Sequence, residues 1–365
     1  MKRNMMIIVL TLLISLMSGC TGEQKSVAGD ASIATPTAHN TNGNMQNGGL
    51  MTYDAKHLYF LIYTGNGQFG FTKSGTDKRG LYQANPDGSN TKLIGATSIN
   101  NCLNVYHGAV YGVGYGGIYA VDLRTGKEKR IIACYDFLEI QMQIAGNKLY
   151  YTDGTTIYAA NLNGSSKTKI VSGPAPEMVD GGSQNTLWHF AINGSDLYYT
   201  IDSYYQPGGT PKETKLYKKS LGENRQTDKG EIIYKGYHIY NIQFLGNKVY
   251  YLDLDNLDSG YNGTTSLYKN GVKLKNGSSI SSYHILKDKI YFMRYDKKGN
   301  RTLIQSDLNL SQGKVLYDKI RYPIEESLCA DQKSIFWYPS AESIKMLNLK
   351  THAVKPFFDI PSEDN

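Results

Sequence analysis

Cysteine and tryptophan are scarce in this chain, at four and two among 365 residues. Four cysteines cannot frame a disulfide-built fold of this length. None has CxxC spacing or a histidine close by, so zinc and dithiol redox chemistry lack their ligands. The seven histidines, at 39, 57, 107, 189, 238, 284 and 352, show neither HxH nor HExxH spacing. Long apolar runs are missing after residue 17, which excludes a polytopic membrane protein. Charged residues make up only 19%. The net charge is +7, but Lys and Arg are scattered among Asp and Glu, and nucleic acid needs a clustered patch. Glycine is plentiful (38) without a three-residue period, so collagen is excluded. The 40% hydrophobic content, with 30 tyrosines, offsets the entropy of folding and excludes disorder.

What is present begins with an address. Lys2 and Arg3 precede an apolar stretch from Met5 to Met17, too short to span a bilayer. Met17-Ser18-Gly19-Cys20 resembles a bacterial lipobox, with Met17 where leucine is usual. The resemblance implies a signal peptide over 1–19 and lipid, palmitate included, on Cys20. The chain would then be anchored on the extracytoplasmic side of the cell membrane, or in the outer envelope of a diderm. The alternative is an ordinary cleaved signal with an incidental cysteine. Residues 20–48, rich in Ser, Thr, Ala, Gly and Asn, read as a flexible tether. Cys102, Cys134 and Cys329 then remain, an odd number, read as buried strand cysteines.

The rest is a repeat. A short apolar unit recurs around Leu58-Tyr59-Phe60, Val110-Tyr111, Leu149-Tyr150-Tyr151, Leu197-Tyr198-Tyr199, Val249-Tyr250-Tyr251, Ile290-Tyr291-Phe292 and Ile335-Phe336-Trp337. The spacing is about 46 residues, that of propeller blades. Each unit is followed by a second, such as Leu81-Tyr82 or Ile157-Tyr158, then by a turn and a third strand. An apolar strand precedes most of them, as in Phe190-Ala191-Ile192. No such repeat can bury its own face, whereas stacked radially each covers its neighbour. The sequence therefore predicts an all-β chain: a β-propeller of four-stranded antiparallel blades over 49–359, seven by repeat count and six in the alternative, with a tail at 360–365.

Tyr150-Tyr151-Thr152-Asp153 resembles the YWTD tetrapeptide of low-density-lipoprotein-receptor propellers, and Tyr250-Tyr251-Leu252-Asp253 is a weaker echo. The run from Gly80 to Leu93 is similar to a bacterial domain family of unknown function described as an LDL-receptor-related-protein-like propeller. The likeness implies the fold, with six blades in those families, and no particular ligand.

Candidate sites follow from blade geometry. Loops joining second to third strands share a face with the blade-to-blade links, and three are long: 63–79, 202–214 and 253–265. They carry Phe69, Phe71, Tyr204, Tyr205 and Tyr261, ring surfaces that suit sugars or peptides. Asp253, Asp255 and Asp258 form a weak calcium candidate off the EF-hand spacing. His189, Glu139 and Glu177 lie near inner strands, where they either face the central channel or take hydrogen-bonded core or loop roles, the latter favoured because no base–nucleophile pair can be identified. Gly65 to Gly70 fits GxGxxG without a following helix, and Ser89-Asn90-Thr91-Lys92 fits SxxK without its partner motifs. No base–nucleophile pair stands out. The expected function is a monomeric, non-catalytic binding module without a cofactor, presenting its loop face to an envelope protein, peptide or glycan. The alternative is an extracytoplasmic hydrolase or lyase using carboxylates at the channel rim. A scaffold for an envelope assembly is a third reading.

Overall fold

Short strands rich in Tyr, Ile, Leu and Val, punctuated by Gly, Asn and Asp turns, pair with their neighbours in sequence and form seven antiparallel sheets. The computed structural model describes residues 40–62, 80–134, 140–173, 185–204, 211–222, 229–255, 264–320, 328–340 and 343–359. Blade one holds β1 (Met51–Tyr53), β2 (Leu58–Ile62), β3 (Gly80–Ala84) and β4 (Lys92–Gly95). Blade two holds β5 (Ile99–Tyr106), β6 (Ala109–Gly114), β7 (Gly117–Asp122) and β8 (Glu128–Ala133). Blade three holds β9 (Met142–Ala145), β10 (Lys148–Thr152), β11 (Thr156–Asn161) and β12 (Thr168–Ser172). Blade four has a two-residue β13 (Asn185–Thr186) beside β14 (Phe190–Asn193), β15 (Asp196–Tyr204), β16 (Pro211–Ser220) and β17 (Glu231–Gly236). Blade five holds β18 (Tyr240–Leu245), β19 (Lys248–Leu254), β20 (Thr265–Lys269) and β21 (Val272–Ser278). Blade six holds β22 (Ile280–Leu286), β23 (Lys289–Tyr295), β24 (Arg301–Asp307) and β25 (Gly313–Ile320). Blade seven holds β26 (Cys329–Ala330), β27 (Ser334–Ser340), β28 (Ser343–Asn348) and β29 (Val354–Asp359). The count is seven. The units around Val110 and Ile335 each seed a complete blade, and the six-blade alternative falls.

Successive side chains on a strand point to opposite faces. That alternation explains the doubled aromatics. The first ring of each pair packs toward the following blade: Tyr198 joins the core of blade five, Tyr250 that of blade six and Tyr291 that of blade seven. The second packs toward the preceding blade, as Tyr151, Tyr199, Tyr251, Phe292 and Trp337 do. Blade two has Gly112 where the others have a ring. A Cβ there would lie 2.3 Å from Ile99 Cγ2, so Ile99 fills that place. Among the described residues no strand is exchanged between the ends of the chain. Blade seven instead meets blade one through Phe60, whose ring lies 5.5 Å from Phe357 and 5.4 Å from Phe358. Cys102, Cys134 and Cys329 form no disulfide. Burial pushes the Cys329 thiol up to about 12, so it stays protonated.

The innermost strands are sheet edges whose N–H and C=O groups face the axis. Residues 40–50 lie along that axis, buried except for the half-buried Gly48. They include one helical turn, α1 (Asn42–Gln46), capped by Thr41. The segment meets every blade. Asn40 Nδ2 donates to the carbonyls of Met51 and Leu103. Asn42 Nδ2 donates to Ile192 O (3.3 Å), and its Oδ1 accepts from Gln143 Nε2 (2.9 Å). Asn44 Nδ2 donates to Ala330 O (2.9 Å) while its Oδ1 accepts the Ala330 N–H (2.7 Å), a two-point pairing like a ladder residue's. Gln46 Nε2 donates to Phe190 O (2.8 Å), and its Oε1 accepts the Ile242 N–H (3.0 Å). Asn47 Nδ2 donates to Tyr283 O at 2.7 Å. The carbonyls of Gly48 and Gly49 accept the N–H groups of Cys102 and Leu103. Gly49 has φ +61°, and a Cβ on it would stand 2.6 Å from Cys102 Cα.

Residues 40–48, the end of the stretch read as a tether, are thus an internal axle. Their Asn, Gln and Gly content suggests a linker because polar residues usually face water. Here the amides match unpaired backbone groups instead.

Truncating one of the inter-blade rings tests the packing. Phe292→Ala is expected to cost about 3–5 kcal/mol in a urea unfolding series, whereas Tyr115→Ala, at a 59% exposed ring, is expected to change stability by less than about 0.5 kcal/mol.

Candidate active site at the rim between blades four and five

Antiparallel connectivity sends the second-to-third-strand loops and the blade-to-blade links to one face, here called the upper face. Four side chains meet there. His189 directly precedes β14, and His238 lies in the link from β17 to β18. Asp202 and Asp253 lie near the ends of β15 and β19, the second strands of blades four and five.

Asp202 is fully buried, and neither of its carboxylate oxygens accepts a hydrogen bond among the described residues. Its Oδ2 lies 3.7 Å from His238 Nδ1. That is ion-pair distance and too long for a hydrogen bond. The imidazoles of His189 and His238 meet edge to face with centroids 6.2 Å apart, and Tyr240 lies 5.2 Å from His238 and 6.1 Å from His189. Burial pushes His189 down to about 4, helped by the neighbouring His238 and opposed by Asp202. His189 is therefore neutral at physiological pH. Trp188 and His189 are half-buried, as are His238 and Tyr240, while Tyr237 is 41% exposed. Solvent reaches one side of the group.

Asp253 does different work. Its Oδ1 accepts the backbone N–H groups of Tyr237 (3.0 Å) and His238 (2.8 Å), and its Oδ2 accepts from Tyr234 Oη (3.2 Å). It fixes the link that carries His238. Gly236 makes room for it, because a Cβ there would stand 2.0 Å from Asp253 Oδ2. Burial raises this carboxyl to about 6 against the three hydrogen bonds.

Of the sequence candidates, His189 and Asp253 belong to this group. Asp255 is committed elsewhere, accepting from Ser266 Oγ (2.8 Å) and pairing with Lys273 (2.8 Å). Among the described residues no group of His, Cys, Asp or Glu is arranged to hold a metal ion. Tyr204 ends β15, and its side chain is outside the description. Cys20, Phe69, Phe71, Glu139, Glu177, Tyr205, Asp258 and Tyr261 lie outside the described residues. Ser89 of the SxxK string is held in an exposed turn by Asp87. Asp202 and His238 join the group from the structure alone; the one sequence signal for them is an acid near the end of the second strand in blades four and five and a histidine shortly before each inner strand.

The architecture is that of a seven-bladed β-propeller with blades built in chain order. No protein-family model matches the sequence, and no curated protein matches it. Among solved structures, the chain is similar to puromycin hydrolase (TM-score 0.56, 11% identity), covering 92% of this chain and 56% of that one. It is also similar to oligogalacturonate lyase from Vibrio parahaemolyticus (TM-score 0.52, 10% identity; 85% and 88% covered). A Bacteroides fragilis protein described as a candidate 6-phosphogluconolactonase matches with TM-score 0.51 and 12% identity, covering 83% and 94%. At these identities the likeness carries the fold.

The expectation of a non-catalytic binding module does not stand. The rim holds a buried carboxylate facing a histidine nitrogen at 3.7 Å, the arrangement of an acid–base pair.

Asp253→Asn tests the electrostatics. With a folded value near 6 and an unfolded value near 3.8, protonated Asp253 favours the fold below the lower value. That contribution is lost as pH rises through the higher one. The asparagine keeps an oxygen for both N–H groups and carries no charge. The variant is expected to exceed the parent in stability by about 1–3 kcal/mol above pH 7, with the difference shrinking toward pH 4 in paired melts.

Proposed function

We propose that this chain is an acid–base enzyme of the hydrolase or lyase class, acting on an envelope oligosaccharide or peptide at the upper rim between blades four and five. Asp202 supports this most directly. A fully buried carboxylate with no hydrogen bond on either oxygen among the described residues, facing a histidine nitrogen at 3.7 Å, is costly to maintain for stability alone. It suits a pair that tightens when substrate arrives, as apo contacts often do.

In this reading Asp202 orients His238 and stabilises its imidazolium. His238 takes a proton, from water in hydrolysis or from carbon in elimination. In elimination the C–H electrons form the new double bond as the C–O bond breaks, and the leaving oxygen takes the proton back from the His238 imidazolium; in hydrolysis the hydroxide bonds to the electrophilic carbon as its bond to the leaving oxygen or nitrogen breaks, and that atom takes the same proton. Neutral His189 donates a hydrogen bond to the oxygen on which charge develops. Tyr237, Tyr240 and Trp188 offer ring surface to a sugar or peptide. The fold neighbours include a lyase and a hydrolase, in keeping with both reaction types.

The lipobox supports attachment through lipid on Cys20, with the enzyme outside the cytoplasmic membrane. The YYTD-type strand ends support kinship with YWTD-like propellers at the level of turn chemistry, since Asp153 Oδ1 accepts the N–H groups of Thr155 and Thr156.

The test is turnover of oligosaccharide and peptide panels by the full chain, reading new reducing ends, new ultraviolet-absorbing double bonds and free amines. Asp202→Asn and His238→Ala are each expected to lose about 100-fold or more in kcat/KM with melting behaviour retained. Full turnover in either variant contradicts the assignment. Binding can be followed by fluorescence, because Trp337 is fully buried and Trp188 lies beside the site.

A further inference from the structure

We propose that Gln46, from the axial segment, is a positioning residue that sets the spacing of His189 and His238; this rests on the reading of those histidines as reacting groups. The two histidines sit on separate blades. Thr214 Oγ1 of blade four donates to Tyr237 O, beside His238 (3.0 Å), and Gln46 joins the two inner strands themselves with a single amide. Its Nε2 donates to the carbonyl of Phe190, the residue after His189, and its Oε1 accepts the N–H of Ile242, two residues after Tyr240.

The need for such a tie is local. The inner strand of blade four is pinned at successive groups: the Phe190 N–H to Gln141 Oε1 (2.7 Å), the Ile192 N–H to Gln143 Oε1 (3.1 Å) and the Ile192 carbonyl to Asn42. Blade five is less secure. β18 loses register with β19 between Tyr240 and Gln243, and Asn241 takes φ +52°. A bulge of this kind leaves its residues out of the ladder. Outside groups hold it: Gln46 takes the Ile242 N–H, Asn47 Oδ1 accepts from Asn241 Nδ2 (2.6 Å) and Tyr283 Oη donates to Asn241 O (2.7 Å). Tyr240, paired with Leu252, and His238, whose N–H Asp253 holds, come just before that bulge. Gln46 touches neither imidazole, so it acts through the backbone of both blades.

The test is an NMR titration of the histidine rings in the full chain and in Gln46→Ala, Gln46→Met and Asn44→Ala. The groups facing His189 are His238, Asp202 and Tyr240, while Asp253 holds the link, and none of these is altered. In the parent, burial is expected to hold His189 down at about 4. In the Gln46 variants its midpoint is expected to rise by about one unit or more as the rings part and water enters. Asn44→Ala removes a like two-point contact, to blade seven, together with the Oδ1 contact to His284 Nε2 (3.1 Å), and is expected to leave His189 unmoved. Gln46→Met keeps the volume of the side chain, so a folded variant is at hand if alanine unfolds the chain. An unchanged His189 midpoint in a folded Gln46 variant overturns the proposal, as does an equal shift in Asn44→Ala. The outcome is independent of turnover: a shift with fully active Asp202→Asn keeps the positioning role and discards the catalytic one.

Discussion

Seven sheets arranged about an axis create seven inner edges, and every edge carries donors and acceptors that water cannot serve once the axis is filled. This chain meets that constraint with its own N-terminal segment. The carboxamides of Asn40, Asn42, Asn44, Gln46 and Asn47 each reach a backbone group of an inner strand. An Asn or Gln side chain reproduces the donor and acceptor of a peptide group, so it can stand in for a missing strand. The fit is close enough to dictate neighbouring residues. A Cβ on Gly43 would stand 2.4 Å from His284 Nε2, and His284 itself bonds to Thr41 Oγ1 at 3.0 Å. With its ring buried, His284 is pushed down to about 4, so the axis holds a neutral imidazole rather than a charge.

Around this axle the blades are joined by apolar contact. The period-two alternation of a strand turns each aromatic pair into a double-sided joint, one ring for each neighbour. Hydrogen bonds hold the axis and rings hold the wedges between blades. The rim site draws on both. Its histidines precede inner strands that the axle pins, and its carboxylates stand near the ends of second strands locked by the aromatic joints.

Most of the fold was legible in the chain. The Leu-Tyr-Tyr units, their spacing and their turn residues specify the blades, because strand alternation and turn chemistry are local. The axle was not legible. Residues 40–48 have linker composition, and only their partners, up to 286 residues away in the case of Asn44 and Ala330, show what the amides do. The site was half legible. His189 and Asp253 are candidates on sequence grounds, Asp253 only as a weak calcium ligand against a solvated acidic loop, whereas it accepts two backbone N–H groups of the link that leads into its own blade. Asp153 and Asp253 end similar Tyr-Tyr-x-Asp strings, yet one closes its own turn and the other holds the blade junction. The string alone cannot separate these uses. Asp202 lay one position further along its strand than the repeat suggests, and its burial appears only when blades four and five are side by side.

The central claim is that the axial amides replace the missing strand partner. Amide hydrogen exchange tests it most directly, comparing the full chain with one carrying a glycine–serine run in place of residues 40–48. The N–H groups of Ile242 and Ala330 are expected to exchange as slowly as mid-blade amides in the parent and far faster in the replacement, with loss of a single cooperative melt. Equal protection and an unchanged melt in the two chains would contradict the account.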